Sequence, residues 1–160
     1  MPSTDLITCL WFPGNGEEAA RYYTSIFKDS SIGRINHFTA AGPGPEGSVA
    51  TAEFTLNGQK FIALNGGPAF TFSQAISLQV PCADQAEVDY YYDALTADGE
   101  EGPGGWLKDK YGLSWQVFPA VLPDMLNAPD REKAARAAKV MMGTRGRFDV
   151  AALQQAFDGD

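Results

Sequence analysis

The sequence is poor in the side chains that most enzymes use for acid, base or metal chemistry. Its 160 residues include a single histidine, His37, and only two cysteines, Cys9 and Cys82. Each cysteine lies in or just after an apolar strand-like segment, so we expect buried thiols and a reducing compartment rather than a disulfide framework. His37 lies in a predicted strand. It is either a general base in a cavity or a histidine on the outer face of the sheet, and the outer face is favoured.

Basic residues are also scarce. Twelve Lys and Arg residues stand against 20 Asp and Glu residues, which gives a net charge of −8. This charge repels phosphate backbones and anionic lipids, so it argues against nucleic acid and membranes as partners. The first residues lack a basic start and a long apolar run, so neither a signal peptide nor a membrane span is expected. We therefore predict a cytoplasmic protein of one domain, 1–160.

One segment occurs twice, 69 residues apart. Each copy consists of an apolar strand, a helix-capping pair, a tyrosine pair and a closing aliphatic residue. Agreement at four independent features indicates a duplicated structural unit. The first copy has these features at 7–11, Asn15 with Glu18, Tyr22 with Tyr23, and Ile26; the second has them at 76–80, Asp84 with Glu87, Tyr91 with Tyr92, and Leu95.

The capping pairs predict helices over 16–27 and 84–97, because a side chain at each start can accept from exposed first-turn amides. In the second helix, apolar residues recur with the spacing of a face that packs on a sheet. The tyrosines are therefore interpreted as packing residues rather than ligands. The residues of this stripe are Val88, Tyr91, Tyr92 and Leu95.

After each helix the pattern alternates with the period of a strand. The first half has predicted strands at 31–39, 48–56 and 60–65, the last two joined at Asn57-Gly58, a strong hairpin signal. The second half has shorter predicted strands at 101–108 and 112–118, interrupted by glycines and a proline at 102–105. The Gly/Pro-rich stretch 42–47 lies between strands and lacks a lysine, so it is predicted to be a hairpin loop rather than a phosphate cradle.

The remaining residues form a predicted helical tail. The two modules are expected at about 5–67 and 74–119, with a C-terminal extension at about 120–160. Asp130 and Asp149 are predicted to cap helices that end near 142 and 157. The apolar residues of this tail either contact a second subunit or cap the core of a monomer. They are Met141, Met142, Leu153 and Phe157.

Five strings carry a resemblance to a known family: Cys-Leu-Trp-Phe at 9–12, Gly-Asn-Gly-Glu-Glu-Ala-Ala at 14–20, Phe-Ile-Ala-Leu-Asn-Gly-Gly-Pro at 61–68, Gly-Trp-Leu-Lys-Asp-Lys-Tyr-Gly-Leu-Ser-Trp-Gln at 105–116 and Asp-Val-Ala-Ala-Leu-Gln-Gln-Ala-Phe at 149–157. They resemble the PhnB-like proteins, often described as demethylubiquinone 3-methyltransferase-like. These belong to the vicinal oxygen chelate superfamily, with glyoxalase I, bleomycin resistance proteins and extradiol dioxygenases. The likeness covers nearly the whole chain.

The resemblance implies an α+β fold in which two tandem βαβββ modules form a U-shaped mixed sheet, with extra C-terminal helices. It also implies a homodimer and a small molecule on the concave side of the sheet. Relatives usually hold a divalent metal there through His, Gln or Glu from four strands. The expected ligand positions in this chain are Thr8, Ser77, Gln116 and, in the first module, Ile62 or Leu64.

None of these positions has a histidine or a carboxylate. The last strand matches the relatives' Asp-x-x-Gly-x-x-x-Glu pattern at 109–116, but Gln116 replaces the glutamate. Metal binding needs well-placed, deprotonated donors. We therefore expect no metal and no cofactor, and catalytic residues stay unknown.

Strand alternation assigns residues to the two faces of the sheet. We predict that the first strand directs Thr8, Leu10 and Phe12 into the concavity and Cys9 and Trp11 toward the helices. The predicted lining is aromatic and aliphatic with a few neutral polar groups, and Phe70 and Trp106 are placed at its rim. The cavity candidates are Thr8, Leu10, Phe12, Asn65, Phe70, Ser77, Gln79, Trp106, Ser114 and Gln116.

Such a lining suits a small, largely apolar or aromatic molecule. The favoured function is binding of such a molecule without the superfamily's usual metal site. The alternative is an enzyme, either a metal-dependent lyase, isomerase or dioxygenase, or the methyltransferase that the family description suggests. Neither half has the strand, glycine-rich turn and helix of a doubly wound sheet that holds a nucleotide-like methyl donor.

Overall fold

The computed structural model describes residues 5–160, and the chain divides into two compact units between Thr71 and Phe72. Each unit has the element order β-α-β-β-β and a four-stranded mixed sheet. The fold is therefore α+β with two tandem βαβββ modules and extra C-terminal helices, as predicted. None of the helices in the described part of the chain combines the length and apolar character that crossing a bilayer requires.

The first unit is one helix packed on one sheet. Its elements are β1 (Thr8–Phe12), α1 (Gly16–Ile26), β2 (Ser31–His37), β3 (Val49–Leu56) and β4 (Gln59–Asn65). The strands lie in the order β1-β4-β3-β2, with β1 parallel to β4 and the other pairs antiparallel. The predicted turn between β3 and β4 is confirmed: Asn57 and Gly58 have φ of 48° and 82°, the left-handed pair that a tight hairpin requires.

The core of this unit joins α1 to the sheet through aromatic rings. Tyr23 is fully buried and stacks on Phe54, which in turn stacks on Phe61 with ring centroids 5.3 Å apart. The predicted packing role of Tyr23 is confirmed. The offset rings add stacking energy to the burial of their apolar area.

The start of α1 is capped by the sheet and not by its own first residue. Within the described residues, the Asn15 side chain makes no capping hydrogen bond, so the predicted local cap was wrong. Instead, Asn65 at the end of β4 accepts from the Gly16 amide at 2.8 Å and donates to the Val49 carbonyl at 3.0 Å. A Cβ at Gly16 would lie 2.7 Å from the Asn65 oxygen, so this approach requires glycine.

The second unit repeats the pattern and continues into three further helices. Its module consists of β5 (Ser77–Cys82), α2 (Gln85–Thr96), β6 (Glu100–Glu101), β7 (Trp106–Lys108) and β8 (Ser114–Pro119). The strand order is β5-β8-β7-β6, with β5 parallel to β8. The predicted strand 101–108 is interrupted, because Gly102–Gly105 form the turn between β6 and β7.

α2 has the predicted cap and the predicted buried face. The Asp84 carboxylate accepts from the Glu87 amide at 2.9 Å, and Glu87 accepts from the Ala83 amide at 3.1 Å. The cap therefore satisfies two exposed backbone donors. The apolar stripe is buried as predicted, at Val88, Tyr91, Tyr92 and Leu95.

A buried carboxylate closes the turn between β7 and β8. Asp109 is 3% exposed, and its Oδ1 accepts from the Tyr111 and Leu113 amides at 2.8 and 3.1 Å. Its Oδ2 accepts from the indole Nε1 of Trp115 at 2.8 Å. Asp109 thus fixes where β8 begins, and with it the register of the residues that follow.

The C-terminal extension consists of α3 (Leu122–Leu126), α4 (Arg131–Gly143) and α5 (Val150–Asp158), with Asp130 and Asp149 as the predicted caps. It folds onto the second unit: Gln85 of α2 donates to the Phe148 carbonyl at 3.0 Å and accepts from the Val150 amide at 2.8 Å. Arg147 pairs with Asp89 and Asp93 of the same helix. The buried cluster of the extension comprises Leu122, Met125, Ala137, Phe148 and Leu153.

Candidate functional site

Three strands of the second unit place three of the predicted cavity residues side by side. β8 lies between β5 and β7, and its Gln116 is the register partner of both Gln79 and Trp106. These three residues therefore form a row across the sheet. Their strand neighbours Val80, Val117 and Leu107 are buried on the other face, where α2 packs.

A cavity of about 390 Å³ lies over this row. Gln79, Trp106 and Gln116 line it together with Phe118, which is two residues further along β8. The opposite wall comes from the C-terminal extension, and the turn before β7 closes one side. The residues of the wall and the turn are Leu122, Pro123, Leu126, Met141, Met142, Phe148, Pro103 and Gly104.

Neutral hydrogen-bonding groups lie at the centre of the row and in the adjacent row of the sheet. Gln116 donates from Nε2 to the Ser77 hydroxyl at 2.8 Å, which fixes the orientation of its amide. Ser114, the register partner of Ser77, is fully buried, and its hydroxyl oxygen has no hydrogen-bond partner among residues 5–160. A buried polar group without a partner is uncommon in folded proteins.

The structure reverses the predicted faces of β1. Leu10 and Phe12 are 4% and 0% exposed in the core of the first unit, whereas Cys9 is exposed. By alternation, Thr8 shares the face of Leu10 and Phe12. The prediction that these three residues face the concavity was therefore wrong, as was the prediction of a buried Cys9.

The reversal has a single geometric cause. Three residues connect β1 to α1, whereas two residues connect β5 to α2. The first residues of α1 and α2 are 69 positions apart, but equivalent residues of β1 and β5 are 70 positions apart. Buried Leu10 and Phe12 therefore correspond to buried Val80 and Cys82. A shift of one residue moves every side chain of a strand to the other face.

The two remaining candidates lie elsewhere in the first unit. Asn65 caps α1 and lines a separate cavity of about 630 Å³ that also includes Glu17, Glu18, Phe38 and the loop containing Pro43. Phe70 is 64% exposed and packs edge-on against Trp11, with ring centroids 4.9 Å apart. Neither residue belongs to the row of the second unit.

The side chains at the superfamily's metal-ligand positions do not suit a divalent cation. Ile62 and Leu64 carry no donor atom, and Thr8 lies on the face that packs on α1. The amide of Gln116 is hydrogen-bonded to Ser77. Within residues 5–160, no three His, Cys, Asp or Glu side chains lie together as possible metal ligands.

Cys82 and His37 are two side chains that could serve as a nucleophile or a base. Cys82 is fully buried, as predicted, and burial raises the pKa of its thiol to about 12. His37 is exposed at the end of β2 in the first unit. Neither residue lines the cavity over the row, so neither is assigned a role there.

The residues of the extension that line the cavity were not among the sequence candidates. Met141 and Met142 were predicted only to contact a second subunit or to cap the core of a monomer. Met141 packs on the buried cluster of the extension, while Met142 is 80% exposed at the rim. The apolar pair at 141–142 indicated that this part of the extension contacts other apolar residues. Which strand it contacts depends on packing between residues that are distant in sequence, so the wall could not be predicted from this pair.

Comparisons with known proteins agree with the fold. A family model described as 3-demethylubiquinone-9 3-methyltransferase matches residues 4–118. A PhnB protein from Bacillus cereus is 41% identical over 73% of this chain and 100% of its own, with a TM-score of 0.66. A Pseudomonas aeruginosa protein is 22% identical over 72% of this chain and 96% of its own, with a TM-score of 0.57. The fosfomycin resistance protein FosX from Listeria monocytogenes is 17% identical over 79% of this chain and 98% of its own, with a TM-score of 0.53. No curated protein matches the chain.

Proposed function

Because the chain belongs to the 3-demethylubiquinone-9 3-methyltransferase family, whose PhnB-like members have the vicinal oxygen chelate fold, we propose that it binds a small, largely apolar or aromatic molecule. The binding site is the cavity over Gln79, Gln116 and Trp106 in the second unit. Binding there uses no metal and no cofactor. Ser77 and Ser114 support the site from the adjacent row of the sheet.

The observation that carries this proposal is the composition of the cavity lining. Aromatic, aliphatic and thioether side chains form most of the surface, and its polar side-chain groups are two amides and the Trp106 indole N–H. Small-molecule sites are typically apolar clefts with a few placed polar groups, and about 300–1,000 Å³ in volume. The cavity of about 390 Å³ is at the lower end of that range.

The same lining supports binding rather than catalysis. Paired carboxylates, a serine with a histidine, and an activated thiol are all missing from the lining residues, which lie within the described part of the chain. The donor set does not fit a divalent cation either, so no step is assigned to a metal.

The helix starts do not favour a nucleotide-like methyl donor. In the second unit, the Asp84 carboxylate already accepts from the Glu87 amide in the first turn of α2. In the first unit, Asn65 already holds the Gly16 amide. We therefore infer ligand binding, and not methyl transfer, as the activity to test first.

The first test is native mass spectrometry with elemental analysis on protein purified without a metal-affinity tag. We expect a co-purified organic mass, or an empty protein that binds 2-naphthol in the presence of a chelator. Stoichiometric zinc, nickel, iron or manganese would contradict the proposal. Saturable calorimetric binding of a methyl donor would instead favour the methyltransferase.

A matched pair of tryptophan variants tests the location of the site. Trp106→Ala should weaken 2-naphthol binding at least about tenfold, because it removes a large aromatic wall of the cavity. Trp11→Ala, in the first unit, should leave binding unchanged. Equal losses in the two variants would place the ligand elsewhere.

The homodimer and the cytoplasmic location stay predictions. Leu153 is fully buried within the second unit, and Phe157 packs on the same cluster, so these two residues cap a core instead of forming a free surface. Light scattering coupled to size-exclusion chromatography would give the oligomeric state directly.

A further inference from the structure

The cavity is built from two parts of the chain. Its floor comes from β5, β7 and β8, within the segment that matches the family model, which ends at residue 118. Its outer wall comes from Leu122, Leu126, Met141, Met142 and Phe148, all beyond that segment. The wall is therefore a feature of this chain's extension rather than of the matched module.

We infer that the ligand is an uncharged, planar aromatic molecule that carries a hydrogen-bond donor, and that Leu126 and Met142 of the extension limit its size. This inference rests on the proposed function and specifies the ligand class for that same cavity. Gln116 recognises the donor, and Trp106 and Phe118 contact the ring system.

The charge of the ligand follows from the lining. The lining residues, all in the described part of the chain, carry no ionisable side chain that could pair with a charged ligand. A charged group in this cavity would lose hydration without gaining a counter-ion, which is strongly unfavourable. An anion would in addition be repelled by the net charge of −8.

The shape of the ligand follows from the sheet. The row from Gln79 through Gln116 to Trp106 crosses three adjacent strands, which places its ends roughly 10 Å apart at the usual strand spacing. Phe118 and Phe148 are further aromatic residues of the lining. A flat molecule of about two fused rings fits this length, and its faces can stack on the aromatic side chains.

The hydrogen-bond donor follows from the orientation of Gln116. Its amide nitrogen donates one N–H to the Ser77 hydroxyl at 2.8 Å, which leaves the amide oxygen as its acceptor and the second N–H as a donor. A phenolic hydroxyl or a ring N–H would satisfy that oxygen. Gln79 is exposed at the other side of the floor and can contact a second polar group.

Two residues of the wall have the freedom to set the ligand size. Met142 is 80% exposed at the rim, and Leu126 is partly buried at the edge of the extension's core. Larger side chains at these positions would project into the cavity without replacing a fully buried core residue. The floor would remain unchanged.

Three naphthalene probes test the ligand class on the full-length protein. They are 2-naphthol, 2-methoxynaphthalene and 2-naphthoate, which share a ring system and differ in donor and charge. We expect 2-naphthol to bind best, with 2-methoxynaphthalene about three- to tenfold weaker because it lacks the donor. We expect 2-naphthoate to bind more weakly than either. Equal affinity for the two neutral probes, or a preference for 2-naphthoate, would overturn the inference.

Variants test the two recognition elements. Gln116→Met keeps the side-chain volume but removes the acceptor, so it should bring the two neutral probes to equal affinity. Leu126→Trp should abolish binding of 2-naphthol, whereas Val121→Trp, outside the lining at the N-cap of the same helix, should not. Met142→Trp, at an exposed rim position, repeats the test if Leu126→Trp fails to fold. Normal binding by the folded wall variants would overturn the size rule, and failure of all three probes to bind the unmodified protein would instead refute the proposed function.

Discussion

Asp109 provides the sharpest test of how this fold is held together. Its carboxylate accepts hydrogen bonds inside the protein from the Tyr111 and Leu113 amides and from the Trp115 indole. Asp109→Asn leaves one carbonyl oxygen and turns an NH₂ group toward at least one of the three donors. Hydrogen bonds to charged groups contribute about 1.5–3 kcal/mol each, and a buried donor left unpaired costs about 1–3 kcal/mol. Because desolvation of the carboxylate is relieved at the same time, we expect a net loss of about 2–4 kcal/mol in the free energy of unfolding.

The measurement is urea unfolding followed by far-UV circular dichroism, with thermal melting as a second readout. A chain of this size loses about 2–4 °C in melting temperature per kcal/mol, so the melting temperature of Asp109→Asn should fall by roughly 4–16 °C. Glu46→Gln is the control, since it removes the same charge from an exposed loop residue. If Asp109→Asn stays within about 0.5 kcal/mol of the unmodified protein, the range of ordinary surface substitutions, the structural role given to Asp109 is refuted.

Two further predictions concern the first unit and the thiols. Asn65→Ala should lower the free energy of unfolding by about 1–2 kcal/mol, because the Gly16 amide loses its cap and the Val49 carbonyl loses a donor, whereas Asn15→Ala should change it by less than about 0.5 kcal/mol. Calorimetric melting of both variants checks the order, and the reverse order would contradict it. The native protein should react with a disulfide reagent at Cys9 alone, because Cys82 is buried with its pKa raised to about 12. Rapid thiol labelling of native Cys9→Ser would show that Cys82 is accessible.

Local patterns were sufficient to predict most elements. The Asn57-Gly58 hairpin, the Asp84 cap and the buried stripe of α2 depend on residues close in sequence, and all three are present. The resemblance to the PhnB-like proteins is confirmed by the family match. The cap of α1 could not be predicted in the same way, since Asn65 reaches it from a strand 49 residues away in sequence.

The strand faces of the candidate residues were predicted correctly in the second unit and reversed in β1 of the first. The faces of β5 and β8 follow alternation, so Gln79 and Gln116 were assigned correctly to the face opposite α2. For β1, the prediction used the 69-residue offset that relates the two helices. The connection from β1 to α1 is one residue longer than that from β5 to α2, so Leu10 and Phe12 lie on the opposite face from the one predicted. The wall of the cavity was missed because no local pattern indicates which strand the extension will cover.

A cavity with its floor and its wall on separate stretches of chain makes the protein a practical starting scaffold for engineered binders. The floor row is fixed by strand register, while Leu126 and Met142 lie on helices outside the family-matched segment. A library randomised at those two positions would vary the selectivity of the cavity while the sheet and its Asp109 turn keep their hydrogen bonds. Sensors for different aromatic compounds could then share one framework and differ only in two helix residues.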